Sequence, residues 1–69
     1  MSLRKRSVVL AGHATSIALE PEFWMVLDSM AKARSITMAG LLAQLDQARG
    51  ERPLASACRI AALDFASRR

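Results

Sequence analysis

Between His13 and Trp24 the chain reads His-Ala-Thr-Ser-Ile-Ala-Leu-Glu-Pro-Glu-Phe-Trp, an alternating segment that runs directly into a helix start. Thr15, Ile17 and Leu19 fall on one face of an extended chain, and Ala14, Ser16 and Ala18 on the other. One face is apolar; the other is small and weakly polar. Pro21 suits the first turn of a helix and no later position, and Glu20 and Glu22 place negative charge at its positive end. A strand over 14–19 is therefore expected to give way to a helix over 21–33.

A lone strand has an unpaired row of backbone donors and acceptors, and a symmetric partner is a common remedy. Size points the same way. The chain has 69 residues, 52% of them hydrophobic, with one cysteine and hence no internal disulfide, and a core this small usually needs completion from elsewhere. The expectation is a mainly α chain with one N-terminal strand paired across the twofold axis of an obligate homodimer, followed by three helices.

The first helix carries Phe23, Leu27, Met30 and Ala31 as one stripe, with Trp24 on its flank and Asp28 four residues from Lys32 for an exposed pair. A break at Arg34-Ser35-Ile36 leads to Thr37, a good N-cap for a second helix over 38–49 that Gly50 ends. The third helix, 54–67, is apolar over much of its circumference, from Leu54, Ala57, Cys58, Ala61 and Phe65 round to Ile60 and Leu63. Such a helix packs on more than one neighbour. Whether Val8, Val9 and Leu10 extend the ribbon or form a separate strand stays open at this point.

The net charge of +4 is unevenly placed. Lys32 and Arg34, Arg49, and Arg68 with Arg69 sit near expected helix ends, where the dipole favours them. Arg4, Lys5 and Arg6 have no such explanation, and residues 1–19 hold no acid. Residues 1–6 read as a basic arm able to contact phosphates, or as a solubilising tail.

Little here supports catalysis. His13 is the only histidine and has no Asp, Glu or Cys at ligand spacing; there is no tyrosine, and Gly12 and Gly40 belong to no phosphate-binding pattern. No catalytic residue, metal or cofactor is expected. Cys58 reads as a buried small hydrophobe, with a redox switch as the sharper alternative. No apolar run reaches the length of a membrane span and no signal peptide pattern is convincing, so a cytoplasmic protein is expected.

Two strands paired antiparallel across a twofold axis make a ribbon of the width that enters the DNA major groove, which would put Ala14, Ser16 and Ala18 against the bases. The amides of Met38 and Ala39 behind Thr37 form a ready anion site for a phosphate. The run Gly12-His13, Thr15-Ser16-Ile17, Leu19-Glu20, Phe23-Trp24, with Arg6-Ser7-Val8 before it and Ala57 and Arg59 after it, resembles the ribbon-helix-helix superfamily of the Arc and methionine repressors. More narrowly, it resembles a small bacterial family with an added C-terminal helix, over nearly the whole chain.

The resemblance implies a homodimer with an intermolecular ribbon and, by analogy, a transcriptional regulator. The DNA-binding set is then Arg4, Lys5, Arg6, Ala14, Ser16, Ala18, Thr37 and Met38, and the dimer interface holds Thr15, Ile17, Leu19, Trp24, Leu41 and Leu45. His13, on the inward parity, is expected to hydrogen-bond backbone or the partner chain, with DNA contact as the alternative. The chain departs from related repressors in offering only methyl groups at Ala14 and Ala18, and in starting its third helix at Arg52-Pro53-Leu54 without a polar cap. The bare ribbon face and the apolar third helix also fit an antitoxin-like or scaffold module that binds a partner protein. A helix-turn-helix built from the last two helices is the weakest reading, because its third helix is too apolar for a groove.

Overall fold

In the computed structural model, which describes residues 2–68, a β-hairpin precedes three helices. Strand β1, Arg4–Leu10, pairs antiparallel with β2, His13–Leu19, in a register running from Arg4 opposite Leu19 to Leu10 opposite His13. Helices α1 (Pro21–Ala33), α2 (Met38–Ala48) and α3 (Leu54–Ser67) follow.

The hairpin corrects two expectations. The strand before the first helix is not a lone one but pairs with β1 of its own chain, and Arg4–Arg6 belong to β1 and do not trail as an arm. The reason lies in the two-residue loop Ala11-Gly12, which has φ of 51° and 81°. Positive φ at both central positions matches the right-handed twist of the flanking strands and closes the tightest reversal. Val8, Val9 and Leu10 thereby become the turn-proximal end of a strand, and β2 has its partner.

The inward face of the hairpin, Val8 and Leu10 beside Thr15, Ile17 and Leu19, lies on the helices: β1 packs on α2, β2 on α3, and α1 on both other helices. Ile17, Leu19, Trp24 and Leu41 are at most 3% exposed in the single chain, whereas Thr15 and Leu45 are half-buried. Most of the residues expected at a dimer interface are therefore covered by their own protomer. The radius of gyration, 11.3 Å, is about the 11 Å of a compact chain of this length.

Within α1 the stripe is rotated from the one expected. Trp24, Leu27, Met30 and Ala31 are buried and Phe23 is half-buried on the flank. The helix ends in a Schellman motif: Ile36 N–H donates to the Ala31 carbonyl and Ser35 N–H to that of Lys32, each at 3.0 Å, with Ser35 at φ 57°. Thr37 Oγ1 accepts from Gly40 N–H at 3.0 Å and caps α2. Helix α3 begins at Pro53 without a side-chain cap. It buries Cys58 and Ala62 and leaves Ile60 and Leu63 exposed, so its apolar surface is only partly covered by the chain.

Candidate nucleic-acid interface

The register of the hairpin defines its outer face. Lys5 stands opposite Ala18, Ser7 opposite Ser16, and Val9 opposite Ala14, all with the parity that points away from the helices. Lys5, Ser7, Val9, Ala14 and Ser16 are exposed and Ala18 is half-buried. The central pair is joined, Ser7 Oγ to Ser16 Oγ, at 3.4 Å. Neither strand carries an acidic residue. The face is thus a narrow, unopposed surface with one cation, two hydroxyls and three apolar side chains.

Arg4 and Arg6 have the opposite parity. Arg6 lies with its guanidinium carbon 4.5 Å from the centre of the Trp24 ring, and its Nη1 and Nη2 reach the Asp28 carboxylate at 3.2 and 3.4 Å. Asp28 therefore pairs with Arg6 and not with Lys32 as the helix spacing suggested. Both partners are nearly half exposed, so the pair adds little stability, but it places a carboxylate beside the basic triplet. Trp24 Nε1 donates to the Arg4 carbonyl at 2.8 Å and pins the start of β1 to α1. Arg4, Lys5 and Arg6 line, with Pro21, Trp24, Met25 and Asp28, a shallow cleft of about 300 Å³.

Of the other residues singled out in the sequence, Thr37 and Met38 open α2, which packs beneath β1. The Thr37 hydroxyl is engaged by Gly40 N–H. The amides of Met38 and Ala39 fall in the first turn, where no helical carbonyl precedes them. His13 is exposed beside a cleft shared with Leu10, Thr15, Asp46, Arg49 and Leu54. No group of three or more His, Cys, Asp or Glu residues stands close enough to hold a metal ion among the described residues. No described helix is long and apolar enough to cross a membrane.

An electrostatic tie behind the hairpin escaped the sequence reading. Arg59 Nε donates to Glu20 Oε1 at 3.0 Å, and the same guanidinium lies 5.9 Å from the Phe23 ring centre. A hydrogen bond from its own backbone N–H, and then the one from Arg59, hold the Glu20 carboxyl below its ordinary pKa. Burial raises the pKa of the neighbouring Cys58 thiol, and Arg59 partly offsets this. Nothing in the spacing of residues 20 and 59 announces this pair, because α3 must first fold back across the N-terminus of α1.

A hairpin with an outward face, followed by two helices and a third, is matched by a family model described as a ribbon-helix-helix domain over residues 3–66. The chain belongs to the ribbon-helix-helix family. No curated protein and no solved structure matches it significantly. Ribbon-helix-helix domains generally form dimers and bind DNA, and they are typically regulatory and not enzymatic. The outward-facing residues missed in the sequence, Ser7 and Val9, had a faint signal: read backwards from the Ala11-Gly12 turn, they mirror Ser16 and Ala14.

Proposed function

We propose that this ribbon-helix-helix domain is a DNA-binding transcriptional regulator that lays the outer face of its β-ribbon in the major groove. The observation that carries this reading is that face itself: two antiparallel strands, free of acid, with Ser16 between Ala14 and Ala18 and the basic triplet Arg4-Lys5-Arg6 at its open end. A two-stranded ribbon fits the major groove, serine can hydrogen-bond a base edge, and methyl groups can meet that of thymine. The triplet supplies phosphate affinity, and Thr37 with the amides of Met38 and Ala39 fixes register on the backbone. In this reading two copies bind together as a homodimer, on a site of matching twofold symmetry, without a cofactor.

The test is selection of fragmented genomic DNA from the host at near-physiological salt, followed by sequencing of what is retained. A few shared, roughly palindromic sites are expected. Retention without enrichment would reduce the domain to charge-driven association, and no retention would move the assignment to the second reading.

That second reading, a protein-interaction module, is favoured by one feature of α3. Ile60 and Leu63 are 46% and 65% exposed, and Ile60 with Leu45, Ala48, Ala57 and Ala61 forms the apolar part of a groove that Arg49, Arg52 and Asp64 border. Stoichiometric co-purification of a protein partner, with no DNA affinity at low salt, would support it.

A further inference from the structure

The groove between α2 and α3 has an apolar floor and charged borders. Ala57, Ile60, Ala61 and Asp64 keep the i, i+3, i+4, i+7 spacing of one helical stripe, and with Leu45 and Ala48 of α2 they line a groove of about 330 Å³. Its basic border, Arg49 and Arg52, lies where α2 passes into α3. Asp64 stands further along α3, roughly 15 Å from the start of the helix at 1.5 Å of rise per residue. Arg49 is held by Asp46 and by the Arg52 carbonyl, at 2.7 and 2.9 Å. Arg52 makes no ion pair among the described residues, and Asp64 pairs with Arg68 where both are more than half exposed.

We propose that this groove is where two copies of the chain meet. The second copy docks with its α3 antiparallel to that of the first, Ile60 of each entering the groove of the other and Asp64 of each lying beside Arg52 of the other. This interface rests on the homodimeric reading above and adds the place where that dimer closes.

The charge pattern selects a second copy as the occupant. A surface that meets itself across a twofold axis must be self-complementary. An axis crossing α3 near Ile60 reverses the second helix, so its acidic end falls on the basic end of the first; a parallel arrangement would set like charges together. Ala57 and Ala61 let the two helices approach closely, and the exposed Ile60 and Leu63 are apolar side chains that the second copy covers. Ile17, Leu19, Trp24 and Leu41 are buried within their own chain, whereas Leu45 is half-buried and lines the groove. The groove-lining residues all lie outside the hairpin, so docking here leaves the outer face of each ribbon open to DNA.

The experiment is sedimentation equilibrium of the chain without DNA, at micromolar concentrations, for wild type, Ile60→Glu, Arg52→Glu and Asp64→Arg. Circular dichroism would check that each variant folds. Wild type should be a dimer. Ile60→Glu should weaken it by about tenfold or more, since a charge replaces the central apolar contact. Arg52→Glu and Asp64→Arg, each acting twice by symmetry, should each weaken it by about tenfold. An equimolar mixture of these two variants should dimerise as wild type does, because in the mixed dimer every charge at position 52 meets its opposite at position 64. Damage confined to one chain would not be undone by mixing, so the mixture decides even if Ile60→Glu fails to fold. If wild type is dimeric and the variants dimerise equally well, the copies meet elsewhere, as through the free edge of β2, and the groove interface is wrong while the homodimer stands. A monomeric wild type overturns the interface and the homodimer together, and the DNA selection above then tests the ribbon on its own.

Discussion

The indole Nε1 of Trp24 donates a 2.8 Å hydrogen bond to the backbone carbonyl of Arg4, joining the first helix to the first residue of the ribbon. Trp24 is 2% exposed, so the same side chain anchors the core and positions the basic end of β1. Trp24→Phe keeps most of the ring but leaves that carbonyl without its donor, at an expected loss of about 1–3 kcal/mol. Trp24→Ala should lose about 3–5 kcal/mol. Urea unfolding measures both, and amide exchange in β1 should accelerate in Trp24→Phe before the rest of the chain loosens. Uniform acceleration would show that the bond does not hold the strand separately.

Glu20, held by its own backbone N–H and then by Arg59, makes a pH-dependent contribution to stability. Because the Glu20 carboxyl in the folded chain titrates below its ordinary value of 4.5, its stabilisation is complete above that value and is lost as pH falls through the lowered one. Glu20→Gln should therefore unfold at lower urea than wild type at pH 7, and the gap should close on acidification below 4.5. A gap that persists in acid would assign the effect to something other than the charge.

Cys58 is fully buried, and burial raises its thiol pKa. A thiol-specific reagent at pH 8 should leave the native protein unmodified and react in denaturant. Cys58→Ser buries a hydroxyl in place of the thiol and should lose about 1–3 kcal/mol. Rapid modification of the native protein would restore the redox reading of this residue.

Among the described residues, two non-glycines have left-handed backbone, Ala11 in the hairpin loop and Ser35 after α1. Asparagine tolerates this conformation better than alanine and is favoured ahead of glycine in two-residue hairpins. Ala11→Asn should therefore raise stability by about 0.5–1 kcal/mol, read from the urea midpoint. A destabilised variant would mean that the loop has a different geometry.

Asp28 restrains the basic triplet through Arg6. Asp28→Asn should steepen the salt dependence of DNA binding, by about 0.9 in the logarithmic slope if Arg6 then meets a phosphate. Replacing Arg4, Lys5 and Arg6 together by alanine should flatten it. An unchanged slope in the triple variant would remove these residues from the phosphate contacts.

The strand at 14–19 was legible from strict alternation, the start of α1 from Pro21, and the cap of α2 from Thr37, because each depends on neighbours within a few residues. The outward parity of Ala14, Ser16 and Ala18 followed from the same alternation. The first strand was not legible, since Arg4-Lys5-Arg6 looks like a charged tail and Val8-Val9-Leu10 has no alternation. Its existence depends on a two-residue turn whose Ala11 has no intrinsic preference for positive φ.

Local periodicity and capping chemistry thus determined the helices, the second strand and its faces, and a motif distributed along the chain determined the family. The tertiary structure alone decided which strand β2 pairs with, that Trp24 and not Phe23 enters the core, and that Asp28 and Glu20 engage arginines 22 and 39 residues away. Those choices are set by how a closed core brings distant surfaces together, and no short stretch of sequence contains that information.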